Sequence, residues 1–170
     1  NNKKFAIEYN GLFWHSELKK SNIYHENKTL DCKAKGIQLM HVFEDEWHDK
    51  PEIIKSLIRH RLGKDERKIG ARKCEIIELT KEQRYDFFEE NHVDGDVVIS
   101  KTAWGLLYND ELVAALSTRK PFHKSNSNLL EIARFCTAKN TSVVGGLAKL
   151  TKVALAHAKN EGYAGLFTYV

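Results

Sequence analysis

The N-terminal part of the chain contains two apolar stretches with the character of strands, separated by a longer polar stretch. Lys4 to Tyr9 alternates loosely between apolar and polar residues, and Ile37 to Phe43 is mostly apolar, so each predicts a strand. Between them, Glu17 to Lys35 is polar and predicts a helix in its second half, which ends at Gly36. The order of strand, helix and strand predicts the beginning of an α/β unit.

A second helix follows and closes this unit. It begins just before Pro51, a residue favoured in a first helical turn, and it stops at Gly63. One face of this helix is apolar and consists of Ile53, Ile54, Leu57, Ile58 and Leu62. The next stretch, Lys64 to Lys73, is dense in charge and lacks apolar periodicity. We therefore predict a domain boundary there, between units at 1–65 and 72–170.

The second unit begins with a strand, a helix and a hairpin. Cys74 to Leu79 predicts a strand, and Thr80 is a typical N-cap for a helix that runs to about residue 90. The stretches 102–108 and 112–118 predict two strands. They flank Asn109-Asp110-Glu111, which has the composition of a hairpin turn.

The C-terminal part predicts a further strand, a helix and a last strand. Leu129 to Cys136 reads as a strand, and Thr141 or Ser142 begins a helix that runs to about Asn160. Ala164 to Val170 predicts the last strand. The whole chain is therefore predicted to belong to the α/β class, with α+β character as well.

The composition is that of a folded domain with a mild excess of positive charge. Of the 170 residues, 42% are hydrophobic and 29% are charged, and the formal net charge is +4. This balance is compatible with double-stranded DNA as a partner without being specific to it. No apolar run reaches the length of a membrane span, so we expect no membrane partner. The 3 cysteines are widely spaced and indicate free thiols in a reducing, cytoplasmic compartment.

One carboxylate interrupts the first predicted strand. Glu8 lies between two apolar residues, and a carboxylate in such a strand usually has a partner, either a basic side chain or a metal ion. His15, His25 and Lys28 follow it in the chain. A phosphodiester hydrolase needs carboxylates for a divalent cation, a base that titrates near neutral pH and a cation near the phosphate. These residues therefore form a candidate catalytic group.

In this hypothesis, Glu8 binds the metal, His15 acts as general base or acid, and Lys28 neutralises charge on the phosphate. Glu44 and Asp45, which end the second strand, are further candidates for metal ligands or for groups behind the ligands. The alternative is purely structural. In it, Glu8 forms an ion pair with Lys28, and His15 caps a loop.

Three spaced motifs carry a resemblance to a known family. They are Ile7-Glu-Tyr-Asn-Gly-Leu-Phe-Trp-His15, Tyr24-His-x-x-Lys28 and Gly36-Ile-x-Leu-x-His-Val-Phe-Glu-Asp-Glu-Trp47. In this order they resemble phage endonucleases related to the very-short-patch repair nucleases, a group that includes homing endonucleases. The resemblance implies a restriction-endonuclease-like fold, a catalytic role for His15 and a site position on the following helix for His25. It also implies a cytoplasmic location in a bacterial or phage-infected cell.

The chain departs from this family in two places. The family's acidic or His position on the following helix is best matched by His25, and one metal ligand is missing. The principal metal-binding Asp of the family lies on a strand before the one that corresponds to the Glu8 strand, and this sequence begins after it. We therefore expect a nuclease unit truncated at its N-terminus, in which Glu8 binds Mg²⁺ together with an Asp from outside the chain. On its own, such a unit is expected to be a poor nuclease or none.

Two glycines near the start of the last predicted helix are the main feature of the second unit. Gly145 and Gly146 would let a ligand approach backbone N–H groups, and a helix N-terminus favours anions. The stretch from Trp104 to Val170 resembles the acetyltransferase-like (Mom-like) domains of phage proteins, some of which modify adenine in DNA. The resemblance implies acyl-coenzyme A as a ligand of Gly145, Gly146 and Lys149, in a unit truncated at its C-terminus. The alternative is that the glycines only allow close packing of helix on strand.

Other residues have less specific interpretations. Positions beside the nuclease core that are predicted to contact DNA are Asn10, Arg59, Arg61 and Lys64. His41 lies within the second strand and is assigned a structural role. Glu131 and Arg134 form either a pair on the sheet or part of a pocket, and the sequence leaves both alternatives open.

The sequence thus supports three hypotheses of different classes. The first is a metal-dependent DNA endonuclease of phage or homing type, joined to an acetyltransferase-like unit. The second is a transferase that acts on DNA through the second unit with coenzyme A or a related donor. The third is a DNA-binding module without catalysis.

Overall fold

The fold is known from a computed structural model that describes residues 4–11, 21–97, 99–123 and 126–169. The chain forms two compact units, residues 1–64 and 65–170. Both units combine helices with strands, so the chain has the predicted mixed α/β class. Among the described residues, no helix combines the length and the apolar character needed to cross a bilayer.

The first unit is built on two parallel strands joined by a helical crossover. Strands β1 (Lys4–Asn10) and β2 (Ile37–Phe43) pair along their whole length. Parallel strands need a long connection, and this one contains helix α1 (Ser21–Ala34). The turn after α1 ends at Gly36, whose φ of +68° is a conformation that favours glycine. These elements confirm the two predicted strands and the helix between them.

Two helices follow β2. Helix α2 (Glu44–Asp49) was not predicted, whereas α3 (Pro51–Arg61) was. Glu46 stabilises the start of α2, because its carboxylate accepts a hydrogen bond from the backbone N–H of Phe43 at 3.1 Å. The buried apolar side chains described in this unit are Val42, Ile53 and Ile54.

The second unit contains a five-stranded sheet. Its elements in chain order are β3 (Arg67–Gly70), a 3-10 helix (Ala71–Lys73), β4 (Glu75–Glu78), α4 (Lys81–Asn91), β5 (Thr102–Tyr108), β6 (Glu111–Arg119), β7 (Leu129–Thr137), β8 (Thr141–Val144), α5 (Gly146–Asn160) and β9 (Gly165–Phe167). The sheet has the order β4-β5-β6-β7-β9 and is antiparallel except between β7 and β9. Asn109 and Asp110 both have positive φ, as a tight turn between β5 and β6 requires, which confirms the predicted hairpin.

The sheet of the second unit is covered by a helix on each face. Successive residues of a strand point to opposite faces, so neighbours on β6 belong to different clusters. Leu116 packs in a core cluster with Leu150 of α5, whereas Ala115 packs in a second cluster with Phe88 of α4. The predicted N-cap of α4 is confirmed, because the Thr80 hydroxyl accepts a hydrogen bond from the backbone N–H of Gln83 at 3.2 Å.

The prediction around residue 141 was wrong in one element. Thr141–Val144 is strand β8 and not the first turn of a helix, and α5 begins only at Gly146. Strand β8 pairs in parallel with β3, which lies in the charged stretch that the sequence analysis assigned to the domain boundary. The run Thr-Ser-Val-Val includes three β-branched residues, which favour strands, and the long-range pairing with β3 decides in their favour.

Candidate functional site

Glu8 lies on the less exposed side of β1. The side chains of Ile7 and Tyr9 are exposed, whereas only 13% of the Glu8 side chain is accessible to solvent. In the register of the two strands, Glu8 is opposite His41 of β2. Residues opposite each other on neighbouring strands project to the same face of the sheet, so the carboxylate and the imidazole are side by side.

Helix α1 adds three further side chains to this face. His25, Lys28 and Thr29 have the i, i+3 and i+4 spacing that places residues on one side of a helix. The Lys28 ammonium donates a hydrogen bond to Glu8 Oε1. The Thr29 hydroxyl lies 2.8 Å from Nε2 of His41. The crossover helix and the two strands therefore bring distant parts of the sequence together.

Both imidazoles turn the same nitrogen toward one carboxylate oxygen. His41 Nδ1 lies 3.2 Å from Glu8 Oε2, and His25 Nδ1 lies 3.8 Å from the same oxygen. One ligand atom from each of Glu8, His25 and His41 lies within 4.8 Å of the others, and no other such group of three occurs in the described ranges. We call these three residues the Glu8 centre.

The hydrogen bonds of Thr29 fix the tautomer of His41. The Thr29 hydroxyl has a single hydrogen, and it donates this hydrogen at 2.8 Å to the carbonyl oxygen of His25, which can only accept. The contact between Thr29 and His41 Nε2 therefore requires that Nε2 carries a hydrogen and donates it. Nδ1 of His41 then faces Glu8 Oε2 either with a lone pair or, in the doubly protonated ring, with a second N–H.

The charges around Glu8 favour its ionised form. Burial acts in the opposite direction, because it disfavours a charged carboxylate and raises the pKa. The hydrogen bond and the charge of Lys28, together with His41 and His25, outweigh this effect and hold the pKa of Glu8 below its usual range. Glu8 is thus a carboxylate at neutral pH, with one oxygen held by Lys28 and the other facing two imidazoles.

The structure brings together three of the four predicted catalytic residues. Glu8, His25 and Lys28 are in contact or close to it, whereas His15 lies outside the described residues. The ion pair between Glu8 and Lys28, which was the structural alternative, is present and uses only Oε1 of the carboxylate. Sequence reasoning did not include His41 in the site. The parallel pairing of β1 with β2 was the signal that could have found it, once the register was known.

The four residues predicted to contact DNA differ in their positions. Asn10 is buried, and its amide nitrogen lies 3.5 Å from His41 Nδ1, so it belongs to the surroundings of the Glu8 centre. Arg59 and Arg61 lie in the last turn of α3, and Lys64 lies just after it. Arg61 and Lys64 are exposed, and Arg59 is half-buried.

The residues described around Glu8 fit Mg²⁺ poorly. Mg²⁺ prefers an octahedral set of oxygen ligands and usually keeps several waters. The Glu8 centre supplies a single carboxylate oxygen and two imidazole nitrogens, and the charge of Lys28 offsets that of Glu8. Glu44 and Asp45 lie at the start of α2 and are not part of the group.

In the second unit, the predicted cofactor residues surround the start of α5. Gly145 adopts φ of +81° directly before the helix, and no side chain caps the first turn. A Cβ on Gly146 would lie 3.1 Å from Val143, so this glycine also permits close packing of the helix on β8. The ammonium of Lys149 donates hydrogen bonds to the carbonyl oxygens of Ala71 and Cys74 at 3.0 and 2.6 Å. Lys149 therefore ties α5 to the 3-10 helix and the residue that follows it.

Glu131 and Arg134, which the sequence left as either a pair or part of a pocket, have different partners. Glu131 is buried and accepts a hydrogen bond from Arg119. Arg134 donates to the carbonyl oxygen of Gly95 at 3.2 Å and lies 3.6 Å from the carboxylate of Asp94. Each arginine thus has its own carboxylate on this side of the sheet.

Comparison of the chain with protein-family models, with curated proteins and with solved structures gives no match.

Proposed function

We propose that the first unit is a metal-dependent DNA endonuclease of phage or homing type, which hydrolyses phosphodiester bonds of double-stranded DNA in the cytoplasm. The observation that supports this proposal is the Glu8 carboxylate, which one ammonium and two imidazole nitrogens approach from two further elements. Hydrolytic metal sites combine imidazole nitrogens with a carboxylate oxygen around one ion, and further hydrogen bonds orient these ligands.

Each residue has a distinct task in this proposal. A divalent ion, when bound, would polarise the phosphate and lower the pKa of a coordinated water. Lys28 holds Glu8 in place, and because 42% of its side chain is exposed it can also face a phosphate oxygen. His25 and His41 supply nitrogens that hold a cation or a proton. Arg61 and Lys64 present exposed positive charge suitable for DNA phosphates.

Replacing Lys28 with methionine tests the proposal. We expect nicking of supercoiled plasmid, measured with several divalent cations, to fall by about 10- to 100-fold. The reason is that both the phosphate and Glu8 lose a neighbouring positive charge. Lys55→Met is the matched control, because Lys55 forms an ion pair with Glu52 elsewhere in the same unit. We expect this variant to retain full activity.

Two results would contradict the nuclease proposal. One is the absence of cation-dependent nicking when the unmodified protein is assayed together with any residues that precede Asn1 in the complete protein. The other is an equal loss of activity in the Lys28 and Lys55 variants, which would indicate that general surface charge, and not the Glu8 centre, is responsible.

The second unit favours a second candidate function, the binding of an acyl-coenzyme A for a transferase reaction. The supporting observation is the start of α5, where Gly145 is left-handed and the first turn has no side-chain cap. Backbone N–H groups at such a helix start can bind a pyrophosphate. The uncapped start of α5 is what supports this candidate.

Leu147 offers a test of this candidate without disturbing the core. Its side chain is exposed in the first turn of α5. We expect Leu147→Glu to weaken coenzyme A binding severalfold relative to Leu147→Gln, because a negative charge there repels the pyrophosphate. Titration calorimetry of both variants measures the difference. Equal affinities, or no binding by the unmodified protein, would remove the candidate.

A further inference from the structure

We infer that the Glu8 centre binds a borderline transition-metal ion of the Zn²⁺ or Co²⁺ type, held by Glu8 Oε2 and by Nδ1 of both His25 and His41, in preference to Mg²⁺. The inference rests on the proposed function for the use that is made of the ion. The binding itself concerns only the first unit and can be measured without DNA.

The donor atoms are the first reason. Imidazole nitrogen is a good ligand for Zn²⁺, Co²⁺ and related ions, whereas Mg²⁺ selects hard oxygen ligands. Two of the three donors at this site are imidazole nitrogens. With Lys28 beside Glu8, the site has little net negative charge, which a Mg²⁺ site requires and a histidine-rich Zn²⁺ site does not.

The distances are the second reason. Zn²⁺ lies about 2.0–2.1 Å from its nitrogen and oxygen ligands, so two ligand atoms at a tetrahedral angle are about 3.3 Å apart. The distance between Glu8 Oε2 and His41 Nδ1 is 3.2 Å, which is already that of such a pair. His25 Nδ1, at 3.8 Å from the same oxygen, lies about half an ångström beyond that separation.

The tautomer of His41 is the third reason. Its Nε2 hydrogen is used by Thr29, so a neutral His41 turns the lone pair of Nδ1 toward a carboxylate oxygen. Two acceptors facing each other repel unless a proton or a metal ion lies between them, so this pair of atoms is arranged to hold either one. Glu8 Oε2 is buried and accepts no hydrogen bond from the described residues, so it has the capacity to bind such a cation.

Residues behind the ligands hold them in this orientation. The Thr29 hydroxyl fixes the ring of His41, and the Lys28 ammonium fixes Glu8 through its other oxygen. Metal-binding histidines generally donate their second ring N–H to an oxygen acceptor in this way. Thr29 is thus a positioning residue, and its contribution can be measured separately from that of the ligands.

The experiment titrates the protein with Co²⁺, followed by its visible absorption, and then with Zn²⁺ as competitor, with and without excess Mg²⁺. We expect one ion per chain, displacement of Co²⁺ by Zn²⁺ and no displacement by millimolar Mg²⁺. His41→Ala should weaken binding by at least about 100-fold, and Thr29→Val, which keeps the shape of the side chain, by about 10- to 100-fold. His48→Ala is the control, because His48 is exposed on α2 of the same unit and is not part of the centre.

The outcomes separate this inference from the proposed function. Failure to bind Co²⁺ and Zn²⁺, displacement by Mg²⁺, or loss of binding in His48→Ala but not in His41→Ala would each overturn the inference. Nicking that depends on Mg²⁺ without binding of Zn²⁺ would overturn it and leave the nuclease proposal standing. Tight Zn²⁺ binding without nicking under any cation would support the inference and contradict the nuclease proposal.

Discussion

Replacing Glu8 with glutamine should abolish cation-dependent nicking, with a loss of about 1,000-fold or more. The substitution keeps the shape of the side chain and removes its charge. Glu8 is the residue that contacts or faces Lys28, His25 and His41 together, so one change affects every part of the centre. The initial rate of nicking of supercoiled plasmid, measured at saturating cation, gives the loss directly.

Glu52→Gln is the control for this prediction. Glu52 forms an exposed ion pair with Lys55 in the first turns of α3, and its neutralisation changes the net charge of the chain by the same amount. We expect it to nick at the unmodified rate. A Glu8→Gln protein that kept more than a tenth of the activity while remaining folded would show that the carboxylate is not at the reacting centre.

The first unit shows which parts of a site local sequence can predict. The alternation around Glu8 marks it as a residue that needs a partner, and the helical spacing of His25, Lys28 and Thr29 follows from the sequence. His41 could not be assigned in this way, because an imidazole in an apolar strand looks structural until its neighbour on the next strand is known. Its role depends on register, which is a long-range property of the parallel pair.

The second unit gives the converse case. The helix start predicted at Thr141 used a correct local rule, since threonine and serine are common N-caps. The rule failed because Thr141–Val144 pairs with β3, a strand many residues earlier in the chain. The charged composition of β3 does not indicate a strand, so the pairing could not be predicted from the sequence. By contrast, Thr80 and the Asn109-Asp110 turn were predicted correctly, because a cap or a tight turn is formed by residues close in sequence.

Replacing Arg84 with methionine should destabilise the second unit by about 3–5 kcal/mol, which is the usual cost of leaving one member of a buried ion pair without its partner. Arg84 and Asp96 have side-chain exposures of only 8% and 5%. Three hydrogen bonds of 2.8–3.0 Å join the guanidinium to the carboxylate. Removing Arg84 leaves Asp96 as a buried charge with its strongest partner gone. Hydrogen exchange of the slowest amides in β5 and β6, with urea unfolding, measures the loss.

An exposed pair in the same unit provides the comparison. Arg67 and Glu111 are joined at 2.7 Å, but roughly half of each side chain is exposed, so Arg67→Met should cost less than about 1 kcal/mol. The double variant Arg84→Met/Asp96→Leu should regain most of the stability lost in Arg84→Met, because it removes both buried charges and replaces them with apolar groups. If the double variant were as unstable as the single one, the cost would come from lost packing of Arg84 and not from the uncompensated carboxylate. The buried pair would then act in this fold mainly by filling space between α4 and the segment that contains Asp96.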